Sequence, residues 1–159
     1  VQAARRPVVC VSLEASRTLP GAVVGKGPVV RLGDWRTVFS PDGIQVLAGV
    51  AQRVLPGRHQ RRIMDGGACE ATAATAYGVP AIGISVPLGN YHNEGYEGGP
   101  DCRGPRGPAP EFVHLDDVRG QVLLCQGLMA AGLGWGDPWR ASRGELRKRW
   151  RDARPLLKG

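Results

Sequence analysis

The 159-residue sequence contains no run of about 18 apolar residues and opens on no charged-then-apolar leader, so nothing in it reads as a membrane span or a signal peptide. A soluble, cytoplasmic protein with no membrane partner is the expectation. Its four cysteines, Cys10, Cys69, Cys102 and Cys125, stand apart with no C-x-x-C spacing, which argues against both a zinc knuckle and a redox pair and leaves four reduced thiols. Neither Gly25-Lys26-Gly27 nor Gly66-Gly67 has the spacing of a P-loop or a dinucleotide fingerprint. Evenly spread basic charge is also missing. Residues 140–159 hold a net +6 of the overall +7, and residues 1–139 only +1. The body is therefore no polycationic nucleic-acid scaffold, and nucleic acid is not an expected partner. There is no initial Met, and an apolar strand pattern begins at Val8, so the chain is expected to start within a domain.

What is present is a core of ordinary size for one domain, with 42% hydrophobic residues. Val8 to Leu13 is a continuous apolar run, the pattern of a strand buried on both faces, and it ends on Glu14. Val29-Val30-Arg31-Leu32 reads as a short alternating strand. Ser40-Pro41 reads as an N-cap with proline at the first helical position, followed by an apolar stripe of Ile44, Leu47, Ala51 and Val54 and a stop at Gly57.

Arg61 to Met64 is a further strand candidate, and Asp65 to Glu70 turns into a small-residue helix from Ala71 to Tyr77. Ala81 to Val86 is another buried strand running into Pro87 to Asn93. Residues 94–110, with five Gly and four Pro, form a loop. Asp116 caps a last core helix with Val118, Val122, Cys125 and Met129 as its apolar positions. Strands alternating with helices predict an α/β three-layer sandwich with a mostly parallel sheet over residues 1–139. Residues 140–159 form a separate basic amphipathic tail helix, opened by a capping box at Ser142 and Glu145, with Leu146, Trp150, Ala153 and Leu157 on one face.

In open α/β sheets, ligands collect where loops leave the carboxyl ends of strands, and Glu14, the Asp65 to Glu70 turn and His92 all fall there. Carboxylate and imidazole are ordinary zinc donors. Three segments carry a resemblance: Met64 to Ala71 (MDGGACEA), Tyr77 to Ser85 (YGVPAIGIS) and Leu88 to Asn93 (LGNYHN). Together they resemble the co-catalytic dizinc peptidases, above all the tetrahedral-aminopeptidase-like branch and related zinc exopeptidases, over roughly residues 8 to 131. The family pairs a Gly-Gly-Thr-Asp-Ala-like turn with a Gly-Ile/Val-Pro strand and a Tyr-x-His or Tyr-His segment. It departs here in carrying Ala68-Cys69-Glu70 in the turn and Glu14 where a strand-end Asp is usual.

The resemblance implies that His92 and Glu14 are metal ligands, and that Glu70, Gly67, Asn90 and Tyr91 face substrate. It implies zinc or another divalent ion, two in the intact enzyme, a peptide substrate, and possible homo-oligomers. It also implies an upstream histidine, a bridging aspartate and a Glu-Glu pair that supplies the general base. Val1 to Leu13 contains no His, Asp or Glu. The chain is therefore expected to be the carboxy-terminal part of a zinc aminopeptidase catalytic domain, inactive alone and completed by a missing amino-terminal half. Without the resemblance, Glu14 caps a turn or pairs with Arg17, Glu70 favours the start of its helix, and His92 is a hydrogen-bonded surface residue. His59 and His114 are read as structural or exposed, and Asp34 and Asp65 as turn residues rather than catalytic acids. Rival readings are a non-catalytic remnant of the same fold serving as a binding or assembly module, and nucleic-acid binding through the basic tail. The tail helix is expected to lie on its own domain or a partner, with binding to nucleic acid or an anionic membrane as the lesser alternative.

Overall fold

The computed structural model describes residues 8–96 and 99–158, and side chains as far as Leu156. The expectations for Val1 to Pro7, for the side chain of Leu157 and for Glu97-Gly98 lie outside the described residues. Strands β1 (Cys10–Arg17), β2 (Val29–Asp34), β3 (Gln60–Met64) and β4 (Ala81–Leu88) form one sheet in the order β1-β4-β2-β3. β1 runs parallel to β4 and β2 parallel to β3, while β2 and β4 are antiparallel. The α/β class with a mostly parallel sheet is thus the one expected.

Every residue of β4 is buried, as its unbroken apolar run requires of a strand covered on both faces. Helices α1 (Pro41–Val54) and α3 (Leu115–Leu128) cover one face, where Val30, Ile82 and Ile84 of the sheet meet Leu47, Val50, Ala51 and Leu124. On the other face α2 (Glu70–Ala76) packs Ala71 against Phe39 and Ala81. That completes three layers. α1 starts where the sequence places it, with the Ser40 hydroxyl accepting the Gly43 N–H at 3.2 Å.

Four expectations change. β1 is an edge strand reaching four residues beyond Leu13, and Val11 and Leu13 are exposed on the face that carries buried Ile82 and Ile84, as the outer side of an edge strand has no neighbouring strand. Glu14 therefore sits inside a strand. β2 does not alternate, since only Leu32 is partly exposed in a strand flanked on both sides. α3 buries Asp117, Gly120 and Leu124, leaving Val122 and Met129 exposed. The reason is close approach. A Cβ on Gly120 would fall 2.6 Å from Pro28 Cδ, and the Asp117 carboxylate accepts the Gly25 and Gly27 N–H groups at 2.7 Å each. His114, rather than Asp116, caps α3, its Nδ1 accepting the Asp116 N–H at 3.1 Å.

α4 (Arg140–Ala153) begins two residues before Ser142, so no capping box forms, and none of its residues is buried. Its expected seat on the domain is confined to the first turn, where Gln45 Nε2 donates to Ser142 Oγ at 3.5 Å. The 94–110 loop is irregular as expected but pinned: Glu94 Oε1 accepts the Gly107 N–H at 2.7 Å, and Asp101 Oδ2 accepts the Val24 N–H at 2.9 Å.

Candidate functional site

The site is built around a buried cation. Arg31 on β2 lies in register with Gly83 on β4, where a Cβ would stand 2.9 Å from the Phe39 ring and 3.1 Å from Arg31 Cδ. Glycine there lets the arginine side chain cross β4 to reach β1. Its Nη1 donates to Ser16 Oγ at 3.3 Å and lies 3.9 Å from Glu14 Oε2. Strand alternation puts Ser12, Glu14 and Ser16 on this one face, and the Ser12 hydroxyl donates to Glu14 Oε1 at 2.8 Å.

The second carboxylate arrives with α2. Asp34, at the end of β2, accepts the N–H groups of Arg36 at 2.9 Å, Thr37 at 3.0 Å and Cys69 at 3.0 Å, and also the Thr72 hydroxyl. It thereby ties the end of β2 to the start of α2. Burial alone would push the Asp34 carboxyl up, but the hydrogen bonds from Thr72 and the three amides outweigh it and hold the group below its ordinary value. Glu70, thus placed, shares a hydrogen bond with Glu14. Burial and the Glu70 carboxylate push Glu14 up, against the opposing pull of Ser12 and Arg31, while the hydrogen bond shared with Glu14 holds Glu70 down. Burial raises the Cys69 thiol beside them, so it is no activated nucleophile.

An open cleft of about 50 Å³ borders this cluster, lined by Glu14, Ser16, Arg17, Arg31, Gly66, Gly67 and Tyr91 among others. Of the residues singled out in the sequence, Glu14, Gly67 and Tyr91 meet in that cleft and Glu70 joins through Glu14. Asn90 is buried, its Nδ2 donating to Pro110 O at 3.0 Å and its Oδ1 accepting the Arg103 N–H at 2.8 Å, so it braces the long loop. His92 is exposed, with a left-handed φ of 62°. Its N–H donates to Glu111 Oε1 at 2.8 Å, and its ring stacks on Tyr91 with centroids 3.9 Å apart. It is not a lining residue of the cleft. His59 Nδ1 contacts Leu55 O at 2.8 Å, and Asp65 pairs with Arg62.

Arg31, Ser12 and Ser16 are the neighbours of Glu14 that the sequence does not single out. The one local signal was a charge inside Val29-Val30-Arg31-Leu32, legible only once Gly83 is known to lie opposite. A catalytic zinc takes three protein ligands. Among the described residues no group of three or more His, Cys, Asp or Glu is placed to hold a metal ion, and Glu14 already engages Ser12, Glu70 and Arg31. The described residues do not by themselves fit a metal centre.

No protein-family model matches the chain, and no curated protein sequence does. Solved structures do. The TET1 dodecamer PhTET1-12s matches with a TM-score of 0.59 at 20% identity, over 77% of this chain and 34% of its own. The TET aminopeptidase of a marine-sediment Thaumarchaeota archaeon matches with a TM-score of 0.57 at 17% identity, over 78% and 33%. The Pyrococcus horikoshii TET1 peptidase, which assembles into a tetrahedron or a large octahedral shell, matches with a TM-score of 0.56 at 20% identity, over 77% and 33%. The chain spans about a third of the length of these proteins, and what it shares with them is a fold, the α/β architecture of a TET aminopeptidase domain.

Proposed function

We propose that this chain is the carboxy-terminal part of the catalytic domain of a metal-dependent exopeptidase, aminopeptidase-like in the intact enzyme and inactive by itself. The observation that carries the reading is the convergence of Glu14, Gly67 and Tyr91 on one cleft, with Glu70 bonded to Glu14. Those residues came from separate segments of a peptidase-like pattern, and the fold likeness supports the same reading. In the intact enzyme Glu14 and His92 would each give one ligand to zinc or another divalent ion. The remaining ligands and the general base would come from sequence beyond this chain. The cleft walls contributed here, Gly66, Gly67 and Tyr91, would border the peptide.

One observation favours a second reading. Buried Arg31 sets a fixed positive charge beside Glu14, which suits a metal-free remnant serving as a binding or assembly module. Metal content and hydrolysis of aminoacyl substrates, measured on this chain with and without its native upstream sequence, separate the two. The peptidase reading expects bound metal and turnover only in the extended form. An extended form that binds no metal and hydrolyses nothing leaves the remnant reading standing.

A further inference from the structure

Helix α4 is used by neither the sheet nor the cleft. Its first turn is held to the start of α1, where Trp139 Nε1 donates to Asp42 Oδ1 at 2.6 Å. Beyond that turn Leu146, Trp150 and Ala153, spaced i, i+4 and i+7, share one face. Leu146 is 63% exposed, Trp150 57%, and Leu156 just past the helix 84%. Arg140, Arg147 and Arg151 fall along one flank of that stripe, and Arg154 Cζ lies 5.4 Å from the centre of the Trp150 ring. The two acids of the helix, Glu145 and Asp152, fall on the opposite flank.

We propose that α4 is a docking face for an anionic lipid surface. The stripe of Leu146 and Trp150 would enter the boundary between headgroups and acyl chains, with Arg140, Arg147 and Arg151 at the phosphates. Charge complementarity selects the partner. A second copy would set one net +6 tail against another, and the body, at a net +1, supplies no excess of negative charge to attract it. Nucleic acid would satisfy the arginines but leave Leu146 and Leu156 in water. A lipid interface is anionic and apolar in adjacent layers, which is what a basic amphipathic helix with Trp and Leu on one side matches. No helix among the described residues is long and apolar enough to cross a membrane, so α4 would lie on the surface. The inference does not rest on the cleft or its chemistry.

The test is sedimentation of the full chain with vesicles of phosphatidylcholine alone and of phosphatidylcholine with about one third phosphatidylglycerol, together with tryptophan emission. Partition into the anionic vesicles only is expected, with a blue shift that Trp150→Phe diminishes and partition that weakens as salt rises. Arg147→Gln with Arg151→Gln should lower partition by about 25-fold, roughly fivefold per charge. Leu146→Ser should lower it without changing the salt slope. These residues are exposed, so unchanged thermal unfolding of the variants is the control. Binding to neither vesicle, equal binding to both, insensitivity to these substitutions, or tighter binding to RNA or DNA than to anionic vesicles at the same salt would overturn the proposal.

Discussion

Replacing Arg31 with methionine tests whether the cation beneath the cleft is energetically linked to Glu14. At 3.9 Å the pair has a gross attraction of about 4 kcal/mol at an effective dielectric constant of about 20. Three features reduce the net value. The Glu14 side chain is 22% exposed, its carboxyl is biased toward the protonated form, and the buried Arg31 Nε has no hydrogen-bond partner to offset its desolvation. Methionine also refills most of the stem volume beside Phe39 and Gly83. The expected loss is about 1–2 kcal/mol, below the 3–5 kcal/mol for breaking a fully buried pair, because the Glu14 carboxylate left behind is still partly exposed to water.

Urea denaturation of the wild type, Arg31→Met, Glu14→Gln and the double variant closes a cycle, with the midpoint shifting at constant slope. A coupling energy of about 1 kcal/mol is expected. Additivity within about 0.5 kcal/mol would refute the link and leave Arg31 a core residue with no role in the cleft.

Asp34→Asn should remove part of the acid dependence of stability. Because hydrogen bonds hold the folded carboxyl below its ordinary 3.8, its contribution is complete above that value and is lost as pH falls through the lowered one. Acid unfolding followed by circular dichroism should then be shallower for the variant below about pH 4. Asp117→Asn should cost about 2–4 kcal/mol in chemical denaturation, since the amide nitrogen would face one of the two glycine N–H groups the carboxylate now accepts. Leu124→Ala should cost about 2–5 kcal/mol while Val122→Ala costs under about 1. The reverse order would restore the helix face expected from apolar spacing.

Those helix faces show how far local pattern reaches. Ser40-Pro41 and the stripe through Leu47 and Ala51 were sufficient for α1, because capping chemistry and burial point the same way there. For α3 they diverged. The inward face is fixed by Gly120 and Asp117, a small residue and a carboxylate whose partners, Pro28, Gly25 and Gly27, are about 90 residues earlier in the chain. No apolar count detects that. The apolar run places the end of β1 at Glu14, although alternation continues through Glu14 and Ser16 on the polar face that forms the cleft. The Gly-Gly turn and Tyr91 could be read because they are contiguous motifs. The Arg31 cluster could not, because it depends on the register that sets Arg31 against Gly83 and Glu14 against Ser85.

Among the described residues His92 meets the cleft through its stack on Tyr91, and its metal role is the point to test. The direct measurement is metal content and aminoacyl-substrate turnover of the extended form carrying His92→Ala, beside the unsubstituted extended form. Loss of about one ion per chain and a fall in turnover of at least about 100-fold is the expected result. An active extended form whose metal content and turnover are unchanged by His92→Ala would contradict the account.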